Sequence, residues 1–253
     1  MSEYKKNAEE KFELINKNRN RVFIIHYSCE SFIKHNNKTP RISSIAIRNY
    51  DSGQTYSFSI NKTAEVKNVP LDKLESSYDI LEKEMLDEYF DFLKTHMDYY
   101  YVHWNMRNIN YGFEALKHRY KVLKGNPISL DENRLIDLSV ILSEYYGSGY
   151  ISHPMLENIM KKNDISSKDF LTGKEEADCF DNKEYIKLHL STLKKVDVLS
   201  SILNRHISGK LKTNISKVKH VVNSSFDSTV YKIISVIAAI WTVISIPLLF
   251  VKK

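Results

Sequence analysis

The polar residues best placed for chemistry begin at His26-Tyr27-Ser28-Cys29-Glu30, which directly follows the apolar run Val22-Phe23-Ile24-Ile25. With a side-chain period of two, His26, Ser28 and Glu30 share one face of a strand while Tyr27 and Cys29 share the other. A carboxylate leaving the C-terminal end of a buried strand is where α/β folds hold ligands; the lesser alternative is that Glu30 merely starts a solvated loop. A second cluster, His103-Trp104-Asn105-Met106-Arg107-Asn108, follows the aromatic stretch Tyr99-Tyr100-Tyr101. A third lies in a helix-forming segment that carries His189 and Asp197. Lys117, Lys121 and Lys124 recur at helical spacing, which suits phosphate contacts or a solvated helix face. The tyrosines and Trp104 could stack bases, but aromatic residues in a strand also belong to cores. His26, His103, His118, His153 and His189 are too scattered to specify a metal site, and structural roles explain them as well. No Gly-rich phosphate loop, Gly-x-Ser-x-Gly or His-Glu-x-x-His occurs, so P-loop hydrolysis and acyl transfer are not indicated.

The elements that must position these residues follow from periodicity. Residues 2–20 form a charged helix with a thin apolar stripe of Ala8, Phe12, Leu14 and Ile15. Val22 to Ile25 is apolar on both faces and β-branched, as a covered central strand should be. Arg41 to Asn49 reads as a second strand, Asp51-Ser52-Gly53 as a hairpin turn, and Thr55 to Ile60 as the returning strand. A long helix is expected from Pro70 to Met97, with Leu71, Leu74, Tyr78, Leu81 and Met85 at 3–4 spacing. Tyr99 to Trp104 is a fourth strand and Asn110 to Leu123 a second helix, stopped at Gly125-Asn126-Pro127. Arg134 to Leu138 is a fifth strand or the start of a helix reaching Tyr146. A short helix at Pro154 to Lys162 and a long one at Asn182 to His206 complete this part. Ile186, Leu190, Leu193, Val196, Leu199 and Leu203 are expected on the inner face of the last helix.

With 42% hydrophobic residues the chain can build a proper core, and its composition argues against disorder. The net charge of +6 points weakly to an acidic partner, nucleic acid or an anionic membrane surface. Cys29 and Cys179 show no zinc spacing and fit a reducing compartment. The charged first twenty residues contain no apolar signal core. Ile233 to Phe250, by contrast, runs without a charged residue and meets the length criterion for a membrane helix. Arg205, Lys210, Lys212, Lys217 and Lys219 precede it, so the expectation is a single-pass cell-membrane protein with its N-terminal part cytoplasmic. If the run does not enter a bilayer it must be covered between copies, which would make the protein a homo-oligomer.

The order strand, hairpin, helix, strand, helix, short strand, helices resembles the RNase H-like fold, specifically the DEDD 3′–5′ exonuclease superfamily. Members carry Asp-x-Glu on the first strand, an Asn and an Asp around the fourth strand, and a His or Tyr shortly before a final Asp on the last helix. Ser28-Cys29-Glu30 resembles the first motif, and His103-Trp104-Asn105-Met106-Arg107-Asn108 the second, continued by Phe113-Glu114-Ala115-Leu116. Leu135-Ile136-Asp137-Leu138 and Pro154-Met155-Leu156-Glu157-Asn158 resemble stretches between motifs, and Asp197 the final aspartate. The resemblance implies an α/β fold with an RNase H-like mixed sheet and flanking helices, followed here by one C-terminal transmembrane helix. The organisation expected is a helix at 1–20, an exonuclease-like domain at 21–207, a juxtamembrane linker at 208–229 and a membrane helix at 230–251.

In this family four carboxylates hold two divalent metals that activate water at a phosphodiester. Glu30 and Asp197 match that set and would bind Mg²⁺ or Mn²⁺, while Ser28 and Asn108 are neutral. The resemblance therefore implies Glu30, Asp197, His189 and His103 as catalytic candidates, and Ser28, Asn105, Asn108, Lys117 and Lys121 as contacts to nucleic acid or a nucleotide. Thr192 occupies the usual place of the base, and His189 precedes Asp197 by eight positions instead of about five. Two functions are carried forward: a membrane-tethered nuclease, and a degraded nuclease-like domain acting as a nucleotide or nucleic-acid sensor or scaffold. Glu30 and Asp197 are expected to approach each other if the family site is retained.

Overall fold

The computed structural model describes residues 3–31, 39–108 and 110–215. The apolar run at 233–250, and with it the expected membrane helix and most of the linker, lies outside the described residues. Among the described residues no helix is long and apolar enough to cross a membrane.

Helix α1 (Glu3–Lys17) leads into strand β1 (Val22–Cys29), followed by β2 (Ile42–Asn49), β3 (Thr55–Ser59) and the short α2 (Ile60–Val66). Next come α3 (Tyr78–Thr95), β4 (Tyr100–His103), a two-residue hairpin pair β5 (Arg107–Asn108) and β6 (Tyr111–Gly112), and α4 (Phe113–Val122). The chain continues through β7 (Leu135–Asp137), α5 (Leu138–Tyr146), α6 (Met155–Lys162), α7 (Gly173–Asp181) and α8 (Tyr185–Ile207). The main sheet has the order β3-β2-β1-β4-β7. β1 is antiparallel to β2, with Ile25 opposite Ile47, and parallel to β4, with Phe23 opposite Tyr101. β7 extends the sheet parallel to β4, with His103 opposite Asp137. The expected mixed sheet with a central first strand and flanking helices is therefore present.

Strand β1 is central because both of its faces are apolar, and its alternation divides the interior in two. Phe23, Ile25 and Tyr27 face a core built with α3 and α4 residues such as Tyr89, Phe90, Leu116 and Tyr120. Val22 and Ile24 face a second core with Phe12 of α1, Leu138 and Leu142 of α5, and Val196, Leu199 and Leu203 of α8. The result is three layers, helices on both faces of one sheet.

Several boundaries differ from expectation for local reasons. Pro70 opens two short 3-10 turns, Leu71–Lys73 and Glu75–Ser77, so α3 starts only at Tyr78. Residues 134–138 are both things at once, since β7 ends at Asp137, whose carboxylate accepts the Ser139 N–H and caps α5. Helix α7, with a Thr172 capping box, has no apolar stripe strong enough to have announced it. In α8, Ile186 and Leu190 are 60% and 43% exposed, contrary to the expected inner face. The buried face of that half of the helix is Leu188, Ser191, Thr192 and Lys195.

Candidate functional site

At the C-terminal end of β1 the polar row His26, Ser28 and Glu30 continues the face that α8 covers. Beneath it a carboxylate from α7 reaches in. Ser28 Oγ donates to Glu176 Oε1 at 2.9 Å and stands 2.8 Å from Thr192 Oγ1. Ser191 Oγ donates to the same Glu176 oxygen at 2.9 Å, and Lys195 Nζ holds the other at 2.7 Å. Both charged side chains are well buried, 7% exposed for Lys195 and 13% for Glu176. A charge withdrawn from water needs such partners, and here the carboxylate has three donors.

Glu30 is fixed from the other side. Its carboxylate accepts from Arg41 Nη2 at 3.2 Å and Nε at 3.4 Å, and from the Arg41 backbone N–H at 3.3 Å. Arg41 reaches on to Glu75 at 2.7 Å and lies against the rings of Tyr78 and Phe180. The guanidinium is thus held in a cage of two carboxylates and two aromatic faces.

His26 closes the row. Tyr111 donates its hydroxyl proton to the Tyr27 carbonyl at 3.0 Å, so the 3.4 Å contact between Tyr111 and His26 Nδ1 places the imidazole proton on Nδ1. His26 Nε2 is then an acceptor, buried and without a hydrogen-bond partner among the described residues. Burial first, and the charge of Lys195 second, lower its pKa well below the usual histidine value, which keeps the ring neutral.

These groups border a cavity of about 790 Å³ lined by His26, Glu30, Glu176 and Lys195 on one side and by Asn105, Asn108 and Tyr111 on the other. It lies at the C-terminal ends of the parallel strands β1 and β4. Asn105 has a left-handed backbone (φ 56°), a conformation asparagine tolerates, and turns the chain from β4 into the β5–β6 hairpin. Gly112 is needed there, because a Cβ would stand 2.4 Å from the Met106 carbonyl oxygen. The close approach also lets the Gly112 N–H donate to the Tyr27 hydroxyl at 2.8 Å.

Of the residues proposed from the sequence, Ser28, Glu30, Asn105 and Asn108 gather at or directly under this cavity. Asp197 is on the exposed side of α8, paired with Lys194 at 3.0 Å. His189 hydrogen-bonds Ser44 at 2.8 Å, and burial followed by Lys62 lowers its pKa. His103 and Lys117 line a different cavity on the far side of β4, and Lys121 lies on the exposed face of α4. Sequence reasoning missed Glu176, Lys195 and Arg41. Their only signal was the placement of Lys195 one turn after Ser191 and Thr192 on a helix that otherwise buries apolar side chains.

The donor set does not fit the family's pair of divalent metals. Glu30 is taken by Arg41, Glu176 by Lys195 and Asp197 by Lys194. Among the described residues no group of three or more His, Cys, Asp or Glu side chains is arranged to hold an ion. Hard cations need charged oxygens to offset dehydration, and here those oxygens face ammonium and guanidinium groups. No family model, characterised protein or solved structure matches the chain.

Proposed function

We propose that this chain is an RNase H-like domain, tethered to the cell membrane by its C-terminal apolar run, that binds a nucleotide or a nucleic-acid segment without hydrolysing it. The observation that carries this reading is the Lys195–Glu176 ion pair at 2.7 Å beneath Ser28. It supplies a fixed ammonium at the strand end where the family it resembles gathers carboxylates for metals. The sheet order β3-β2-β1-β4-β7 supports the fold assignment, with antiparallel strands on one side of β1 and parallel ones on the other. Asn105 and Asn108 offer amide donors and acceptors of the kind that read base edges, and the Tyr111 ring offers a stacking surface. Lys174, exposed at the rim, is the cation that would face a phosphate, since Lys195 is held by Glu176. A sensor or scaffold at the membrane is the role that fits a site built to hold.

Fluorescence polarisation with labelled single-stranded DNA, RNA and mononucleotides tests the reading. Asn108→Ala and Lys174→Ala, both at exposed positions, should each weaken binding by about tenfold. Absence of saturable binding to all three probe types would sink it. Cleavage of labelled oligonucleotides with Mg²⁺ or Mn²⁺, lost in Glu30→Gln, would instead establish the nuclease reading.

A further inference from the structure

The cavity of about 790 Å³ is within the size range of small-ligand pockets, and its spare polar groups narrow what it can hold. Three carboxylates line it. Glu30 is held by Arg41 and Glu176 by Lys195, whereas Asp178 of α7 makes no ion pair or side-chain hydrogen bond with any described residue. Lys174, one turn earlier on the same face of α7, is also unpaired among the described residues and is the cation already assigned to a phosphate. The hairpin side of the cavity presents amides. Asn105 Oδ1 accepts from Arg107 Nη2 at 3.3 Å, and Asn108 Oδ1 from the Asn110 N–H at 2.8 Å. Because both partners are donors, these contacts fix which amide atom is oxygen, and they leave both Nδ2–H₂ groups without a partner among the described residues. His26 Nε2 also lacks a donor, but it is buried within the wall.

A free carboxylate together with free amide donors tells bases apart. A carboxylate only accepts, and guanine is the common base with two neighbouring donors, N1–H and N2–H₂, to match its two oxygens. Adenine and cytosine place a ring-nitrogen lone pair beside their amine, and uracil flanks its N3–H with two carbonyl oxygens. Each of them therefore sets a lone pair against the carboxylate. On guanine's other edge O6 and N7 are acceptors, which suits the two amide N–H groups. We infer that this cavity selects a guanine nucleotide, with Asp178 receiving N1–H and N2–H₂ and with Asn105 and Asn108 donating to O6 and N7. The inference rests on the nucleotide reading of the same cavity and adds the identity of the base.

Isothermal titration of the full chain in detergent with GMP, AMP, CMP, UMP and xanthosine monophosphate is the test. GMP should bind about tenfold or more tightly than AMP, CMP or UMP, the worth of one good bidentate contact to a base. Asp178→Asn exchanges one acceptor for a donor on an exposed side chain that bonds nothing among the described residues, so the fold should be unaffected. The variant should weaken GMP by about tenfold. It should also bind xanthosine monophosphate, which carries a carbonyl where guanine carries N2–H₂, more tightly than the wild type does. If AMP, CMP or UMP binds as tightly as GMP, or if Asp178→Asn leaves the preference unchanged, the guanine assignment is overturned while the nucleotide reading stands. If no mononucleotide binds, the guanine assignment falls, and the oligonucleotide probes alone decide the wider reading.

Discussion

Replacing Lys195 by Met should destabilise the protein through the charge it leaves behind, since the two side chains have similar volume. Removing one partner of a buried ion pair typically costs about 3–5 kcal/mol, because the other charge stays desolvated. In Lys195→Met, Glu176 still accepts from Ser28 and Ser191, both at 2.9 Å, which retain much of its stabilisation. The loss should therefore fall near the lower end, about 3 kcal/mol. Glu176→Gln removes the carboxylate charge but keeps an amide oxygen that can accept from the ammonium, beside the Phe170 ring 5.4 Å away, so the loss should fall in the same range, about 3–5 kcal/mol. The double variant removes both charges and should be more stable than either single one, since neutral replacements of buried pairs are often tolerated. Urea denaturation of the four proteins, followed by far-UV circular dichroism, gives the coupling directly. At about 2–4 °C per kcal/mol for a domain of this size, Lys195→Met should melt roughly 6–12 °C below the wild type. If the two single losses simply add in the double variant, the ion pair does not organise the site and the argument is refuted.

Three further outcomes are expected. His103 is neutral in the folded state, its pKa lowered to about 4 by burial first and then by Arg107, against an opposing pull from Asp137. The unfolded chain binds that proton near pH 6.5, so the contribution is complete above that pH and is lost as pH falls toward 4. The slope is at most about 1.4 kcal/mol per pH unit, and His103→Gln should flatten the stability profile between those limits; a parallel profile would show that His103 is not responsible. Gly112→Ala drives a methyl into the Met106 backbone and should cost about 1–3 kcal/mol, loosening the hairpin that carries Asn108; an unchanged melting temperature would contradict the close packing. The run at 233–250, about 27 Å long as a helix, should hold the full chain in membranes against salt and alkali, and truncation after Ser216 should release it; full-length protein in the soluble fraction without detergent would end the anchor proposal.

The strand core was readable because its physics is local. Val22 to Ile25 is apolar on both faces, which only a covered strand permits, and Asp51-Ser52-Gly53 supplies a left-handed glycine, φ 73°, where the hairpin turns. The β5–β6 pair was not readable, since two-residue strands carry no period and Gly112 is required by contact with Met106, three-dimensional information. Glu176 was missed for a related reason. An acidic helix with few buried positions looks like surface, and only the tertiary placement of α7 turns one of its carboxylates inward.

Helix α8 shows how a polar site misleads a reading based on apolar periodicity. Ile186, Leu190 and Leu193 suggest one stripe, yet the surface that the helix must cover there is the polar end of the sheet, with Ser28 and Ser44 bonded to Thr192 and His189. Complementarity to that surface selects the hydroxyls and the ammonium as the inner face and leaves Ile186 and Leu190 outside. The same geometry separates Asp197 from the site. It lies two residues beyond Lys195, about 200° around the helix, so the two side chains point to nearly opposite sides. A helix that buries Lys195 toward Glu176 therefore has to present Asp197 outward, where it meets Lys194 one turn back. Which of the two turns inward is decided by the carboxylate already waiting on α7. An ammonium there gains an ion pair, whereas a second carboxylate would meet like charge in a poorly solvated place.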